Sequence, residues 1–378
     1  MSTPRFLITS VLKPVDDVRL YHKLAKSIHR HFPDAPIDIL AFRGSVPPDA
    51  LPAKIKQIPL FDFPRLSPRR LLANGRLFFQ LQRFKPQYLI VATFELLPAA
   101  LIYKWIWGTK LIYDVQENYA ANILYTRVFP AFLRIPLALM VRIIEQSAHP
   151  WVDLYLLAEQ CYQEELAFTK KKSIRLQNKV KKSSLPPRSH LESSSPLSLL
   201  YTGTISEEYG VFRAIEWARR LHQIQIVALK ILGFAPRESD RKRLKTLLRK
   251  HAFIQLEGLD HWLPHAQIME ALAQTDFLLL PYLPNRSVAH RIPTKLFEAL
   301  ALRKKMLIQE NPFWEEYLTR YPFQAALFID FNKSPSDLRL EEMDKNNFYQ
   351  IDHLPANIYW EEEVQAFLTW LRKVEAKK

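Results

Sequence analysis

Lys295 and Glu298 stand three residues apart in HRIPTKLFEALALRK, the stretch from His290 to Lys304, and helical spacing puts their ammonium and carboxylate on neighbouring positions. The apolar run FLLLPYLP before it and MLIQ after it give the order strand, loop, helix, strand, with Pro293 where a first helical turn tolerates it. Leu296, Ala299 and Leu300 share a face that can bury against a sheet. A helix start at the carboxyl ends of parallel strands offers unpaired N–H groups and the positive end of a dipole, which suits a diphosphate, and Arg291 and Lys295 add cations. A carboxylate one turn further in, that of Glu298, can accept hydrogen bonds from both hydroxyls of a ribose. The plainer reading of the same spacing is an i,i+3 ion pair on a solvated helix face, worth about 0.2–0.5 kcal/mol.

A second polar cluster, YDVQENY from Tyr113 to Tyr119, follows an apolar run. From a strand-end loop Asp114, Gln116 and Glu117 would present two carboxylates and an amide, a set suited to a hydroxyl-rich acceptor; the same residues also read as a polar loop capping the next helix. No CxxC or DxD constellation offers a metal site, and no metal is expected. The single cysteine, Cys161, reads as a small core residue; it excludes an internal disulfide framework and fits a reducing compartment.

The elements that would carry these residues fall into two sets. RFLITS, IDILAF, YLIVAT, KLIYDV and DLYLLA, spread from Arg5 to Ala158, read as short strands apolar on both faces and separated by helical segments. That pattern indicates a parallel sheet with crossover helices. Leu20, Leu24 and Ile28 step at helical spacing behind Asp16 and Asp17, an acidic helix start. After IRLQN the run from Lys179 to Pro196 is basic, then rich in Ser and Pro, with no apolar period, and reads as a linker. LSLLYTG, IVALKILG, FIQLEG, FLLLP, MLIQ and AALFID then repeat the alternating plan. The expected organisation is a first Rossmann-like domain over 1–180, a linker over 181–196, a second Rossmann-like domain over 197–356, and a terminal helix over 357–378.

A length of 378 residues is long for one core and ample for two domains, and 48% hydrophobic residues make the chain globular. The 53 Lys and Arg against 38 Asp and Glu leave a formal charge of +15, which calls for an anionic partner. No zinc-finger spacing or RNP motif accompanies it, so nucleic acid is not the expected partner and a basic nucleic-acid-binding protein rests on composition alone. VFPAFLRIPLALMVRIIEQ, from Val128 to Gln146, mixes Phe132, Leu133, Leu137 and Met140 with Arg127, Arg134 and Arg142. Basic and bulky apolar residues on one helix can dip into an anionic membrane surface, or the helix can face the core in the ordinary way. With neither a signal-peptide pattern nor an apolar stretch long enough to span a bilayer, the expected location is the cytoplasm, including the inner face of the membrane.

IPTKLFEALALRKKMLI resembles the nucleotide-sugar segment of the family 4, group 1 glycosyltransferases, whose retaining members read roughly PxKxxExxAxGxPVI. YDVQENY resembles that family's YDxHE string with Gln116 in place of histidine, and YTGTISEEYG resembles its YxGRxxxxKG with Thr204 and Tyr209 at the Arg and Lys places. NIYWEEEVQAFLTWLRKV resembles its terminal helix, led by Trp360, which crosses back onto the first domain. The resemblance implies the GT-B arrangement, two Rossmann-like doubly wound domains facing across a cleft, with the acceptor on the first and the nucleotide sugar on the second. It implies that Glu298 binds the ribose and that Gly203, Thr204, Arg291 and Lys295 lie at the diphosphate. His290, at the position of a second family acid, lies at the donor sugar, and Asp114, Gln116 and Glu117 face the acceptor. The implied reaction is metal-independent transfer of a sugar from a UDP- or GDP-linked donor to a hydroxyl of a saccharide or lipid-linked saccharide, with retention, in envelope or exopolysaccharide synthesis. The same resemblance admits a non-enzymatic relative that keeps the architecture as a binding protein.

Overall fold

The computed structural model describes residues 3–377 apart from 45–50, 65–66, 126–128, 188–195, 262, 284–288 and 336–347. Arg127 and half of the linker expected over 181–196 lie outside the described residues. The chain divides into two compact units, one of Met1–Asn178 with Trp360–Lys378, the other of Lys179–Tyr359.

The first unit is built on seven parallel strands: β1 (Phe6–Pro14), β2 (Ile37–Phe42), β3 (Ile55–Phe61), β4 (Tyr88–Val91), β5 (Lys110–Val115), β6 (Leu154–Leu157) and β7 (Ser173–Arg175). Their order in the sheet is β3-β2-β1-β4-β5-β6-β7, so the chain starts in the middle and winds outward twice. β1 pairs in register with both β2 and β4, Ile8 standing between Ile39 and Ile90. Such strands are apolar on both faces because helices cover both, and Leu7, Ile8, Ile39, Leu89 and Ile90 are all fully buried. Asp17 caps the first helical segment by accepting from Arg19 N and Leu20 N at 2.9 and 3.1 Å. That segment, Val18–Ala25, is wound as a π-helix and runs into an α-helix at Lys26–His31, burying Leu20, Leu24 and Ile28 together. Trp360 is buried in the same core and donates to Ser27 Oγ at 2.9 Å.

The second unit repeats the plan with six parallel strands: β8 (Leu197–Thr202), β9 (Val227–Leu232), β10 (Ile254–Glu257), β11 (Phe277–Leu280), β12 (Lys305–Gln309) and β13 (Ala326–Ile329). The order is β10-β9-β8-β11-β12-β13, again reversing direction beside the first strand. In such a sheet the crevice that takes ligands opens at the carboxyl ends of the two strands flanking the reversal, here β8 and β11.

Three expectations need adjustment. Strands β3 and β7 occupy the two edges of the first sheet and are not buried along their length; β3 buries only its ends, Ile55 and Phe61, and contains Pro59, as edge strands tolerate. Pro293 sits just before the helix Thr294–Ala301 as its N-cap, with extended backbone, not within the first turn. The helix Ala131–Ala148 does not present its bulky residues to the core. Its buried positions are Ala138, Val141, Glu145 and Ala148, while Phe132, Ile135, Leu139, Met140 and Ile143 point outward.

Candidate functional site

Helix Thr294–Ala301 begins at the carboxyl edge of the second sheet, after the loop that leaves β11. Leu296, Phe297, Ala299 and Leu300 fix it in the core, and Glu298 is buried with them at 2% exposure. A carboxylate so placed needs partners, and it has two. Its Oε2 accepts from Lys295 Nζ at 2.9 Å, and its Oε1 lies 2.8 Å from His265 Nε2. Burial pushes the Glu298 carboxyl up, but the Lys295 ammonium and the His265 hydrogen bond outweigh it and hold the group down at about 2. The i,i+3 pair anticipated for a solvated face therefore exists, but in a buried setting where its strength and its dependence on both partners are greater. Lys295 and His265 are 16% and 31% exposed, so an incoming ligand meets the ammonium and the imidazole before the carboxylate.

Gly203 and Thr204 follow β8, the neighbour of β11 on the other side of the reversal. The loop is fixed by Gly203 N donating to Leu232 O at 3.0 Å and by the Tyr201 hydroxyl donating to Thr204 O at 2.9 Å. Gly210 closes the loop with φ of +75° and caps the helix Val211–His222; a Cβ there would stand 1.9 Å from the carbonyl oxygen of Pro281. The loops leaving β8 and β11 thus touch backbone to backbone, which only glycine permits. Gly233 serves the same purpose one strand over, where a Cβ would stand 1.8 Å from Gly203 O. These glycines let loops approach one another, which explains how so few of them suffice.

His290 is exposed, with its ring 5.2 Å from that of Phe313, and Arg291 is half-buried. Their loop is tied to the end of β12 by Asn311, which donates to Ala289 O at 2.9 Å and also caps the helix Pro312–Leu318. The second unit therefore gathers Gly203, Thr204, His290, Arg291, Lys295 and Glu298 on loops and a helix start along one edge of its sheet.

The first unit corrects one assignment. Asp114 is fully buried at the end of β5, where Arg19 contacts both its oxygens at 2.6–3.1 Å and Gln116 Nε2 donates to Oδ2 at 2.9 Å. Arg19 also donates to Leu176 O at 2.9 Å. With its acceptor capacity filled and no surface, Asp114 holds the sheet to the first helix and does not face an acceptor. Gln116 and Glu117 are half-buried beyond it, Glu117 accepting from Asn122 Nδ2 at 2.7 Å. Glu145 and Asp153 are likewise occupied, the former by the Tyr113 hydroxyl at 3.0 Å and Arg142 at 2.7 Å, the latter by Lys104 at 2.6 Å.

Two residues of weight escaped the sequence reading. His265 is separated from Glu298 by 33 positions and is marked only by the Pro264 that precedes its helix. Arg19 follows Asp17 at a helix start whose spacing names no partner for it, and that partner lies 95 positions away.

No protein-family model and no curated protein matches the chain. Solved structures do. Sucrose-phosphate synthase from Thermosynechococcus elongatus superposes with a TM-score of 0.69 at 11% identity, over 99% of this chain and 100% of that one. A glycosyltransferase from Rickettsia africae gives 0.63 at 10% identity, over 98% and 99%. Anabaena HepE, solved in complex with UDP and glucose, gives 0.62 at 12% identity, over 97% and 94%. At such identities the likeness establishes the fold: the chain has the two Rossmann-like units of the GT-B glycosyltransferases.

Proposed function

We propose that the second unit binds a nucleotide sugar and that the protein transfers the sugar to a hydroxyl acceptor carried by the first. The observation that carries this reading is the cluster of Lys295, Glu298 and His265 at a helix start beside the strand reversal, the place where doubly wound sheets take nucleotides. In this reading the diphosphate lies against the N-terminal turn of helix Thr294–Ala301 and the Gly203–Thr204 loop, its charge met by Arg291 and Lys295. The ribose hydroxyls take the place of the His265 imidazole on Glu298, and the donor sugar lies toward His290. The leaving diphosphate is stabilised by the helix end and these cations, so no metal is called for. Gln116 and Glu117 remain the acceptor-side candidates. Retention, a UDP- or GDP-linked donor, and a saccharide or lipid-linked saccharide acceptor in envelope or exopolysaccharide synthesis follow from the motif resemblance; the complex of HepE with UDP and glucose favours UDP over GDP.

The test is calorimetric titration with UDP, GDP and their sugars. A UDP-linked donor is expected to bind, Glu298→Gln is expected to abolish the heat, and the anomeric configuration of the transferred sugar read by NMR reports retention. Absence of binding by every nucleotide would end the reading.

One observation favours a second reading, a GT-B relative that binds without catalysis. Thr204 and Tyr209 occupy the places where the resembling family sets an arginine and a lysine on the diphosphate. A diphosphate left with fewer cations in a partly dry site costs several kcal/mol, on the order of one buried charge. Binding without turnover of any donor, in the presence of extracted lipid acceptors, would select this reading.

A further inference from the structure

We propose that the outer face formed by helices Leu97–Trp107 and Ala131–Ala148 is a docking surface for an anionic lipid bilayer. The two helices pack against each other. On the second, the usual amphipathic arrangement is inverted: the inward face is made of Ala138, Val141, Ala148 and one glutamate, while Phe132, Ile135, Leu139 and Ile143 form an outward stripe at helical spacing. Phe132 and Ile135 are 78% and 71% exposed. The first helix continues the surface with Ile102, Trp105 and Ile106, also at helical spacing and all outward. Trp105 meets Trp151, in the turn that follows the second helix, edge-on at 5.5 Å. Solvated faces carry such residues singly; a contiguous sheet of them needs a cover.

Charge identifies the cover. Among the described residues neither helix exposes an aspartate or a glutamate: the one acid they contain, Glu145, is buried. The turn bearing Trp151 is latched by Lys172, whose Nζ donates to Pro150 O and Val152 O at 3.1 Å, and this brings the exposed Lys170 and Lys171 of the same segment alongside. Arg134, held to Phe129 O at 2.9 Å, sits within the stripe. Exposed tryptophan and aliphatic side chains bordered by lysine and arginine, on two helices that expose no acid among the described residues, match a bilayer interface whose headgroups are negative and whose acyl boundary is apolar. No helix of the described residues is long and apolar enough to cross a membrane, so contact would be from one side.

The experiment uses the full chain without nucleotide, so it stands apart from the sugar-transfer reading. Vesicles of phosphatidylcholine with and without phosphatidylglycerol are sedimented with the protein, and tryptophan emission is followed. Expected are binding to the phosphatidylglycerol vesicles with a blue shift, weakening in high salt, at least a ten-fold loss of affinity for Ile135→Ser with Leu139→Ser, and a smaller loss for Lys170→Glu with Lys171→Glu, all with the melting temperature kept. Sedimentation with neither vesicle overturns the proposal. So does a wild-type dimer in analytical ultracentrifugation that Ile135→Ser with Leu139→Ser converts to monomer, since a second copy then covers the face. Binding to both vesicles alike, indifferent to salt and to the lysine changes, overturns the anionic assignment.

Discussion

His265 Nε2 lies 2.8 Å from Glu298 Oε1 while Lys295 Nζ lies 2.9 Å from Oε2, so the one buried carboxylate of the second unit's helix Thr294–Ala301 is shared between an imidazole from another helix and an ammonium from its own. The pairing couples fold and ligand binding: whatever binds Glu298 must compete with at least one of these partners.

Glu298→Gln keeps the shape of the side chain and removes its charge. Lys295 loses its counter-charge and His265 its hydrogen-bond partner, but both retain partial access to water, so the cost falls toward the low end of that for stranding a fully buried ion, at about 3 kcal/mol of folding free energy. Urea unfolding measures this loss, and the same variant is expected to give no melting-temperature rise with UDP or UDP-sugar. A variant that unfolds earlier yet still responds to nucleotide would remove Glu298 from the proposed site.

The depressed acidity of Glu298 has a direction in pH. In the unfolded chain the carboxyl titrates near 4.5 and in the folded chain at about 2, so between these values the unfolded state holds more protons and stability rises with pH. The contribution, on the order of 3 kcal/mol, is complete above about pH 4.5 and is lost as pH falls through about 2. Unfolding free energies of wild type and Glu298→Gln should therefore differ at pH 6 and converge toward pH 2. A constant difference across that range would show that the carboxylate is not held by Lys295 and His265.

Asp114 and Arg19 test the opposite case, a pair with no route to solvent. Asp114→Asn leaves a guanidinium at 3% exposure without its counter-charge, and the expected loss is about 3–5 kcal/mol. Replacing both, as Arg19→Met with Asp114→Leu, should cost less than the single change, because the desolvation penalty leaves with the charges. A thermodynamic cycle in urea separates the two; additive losses would refute the coupling.

What the chain disclosed in advance follows from where each signal resides. IDILAF and KLIYDV match β2 and β5 residue for residue because strands covered on both faces must be largely apolar, a local property. β3 and β7 escaped because edge strands carry no such requirement. The 3.6-residue period of Ala131–Ala148 shows which residues share a face but not which face turns inward, so it left open the core-facing alternative that the structure removes. Lys295 and Glu298 were legible through a spacing of three; His265 and Arg19 were not, because their partners are brought in by sheet topology alone.

Gly210 and Gly75 make a matched pair for backbone effects. Gly210 has φ of +75°, and any Cβ would fall 1.9 Å from Pro281 O, a backbone atom that cannot swing aside. Gly210→Ala must therefore push apart the loops leaving β8 and β11, with an expected loss of more than about 3 kcal/mol and of nucleotide binding along with it. Gly75 lies inside the helix Ala73–Phe84, and a Cβ there meets nothing within 4 Å. Gly75→Ala should stabilise by about 0.5–1 kcal/mol, since it removes backbone freedom from the unfolded chain and adds no clash. Chemical unfolding of the two variants side by side reads both signs. If Gly210→Ala proved as benign as Gly75→Ala, the contact between the two loops would not exist, and the Gly203–Thr204 loop would lose the support that holds it against the loop leaving β11.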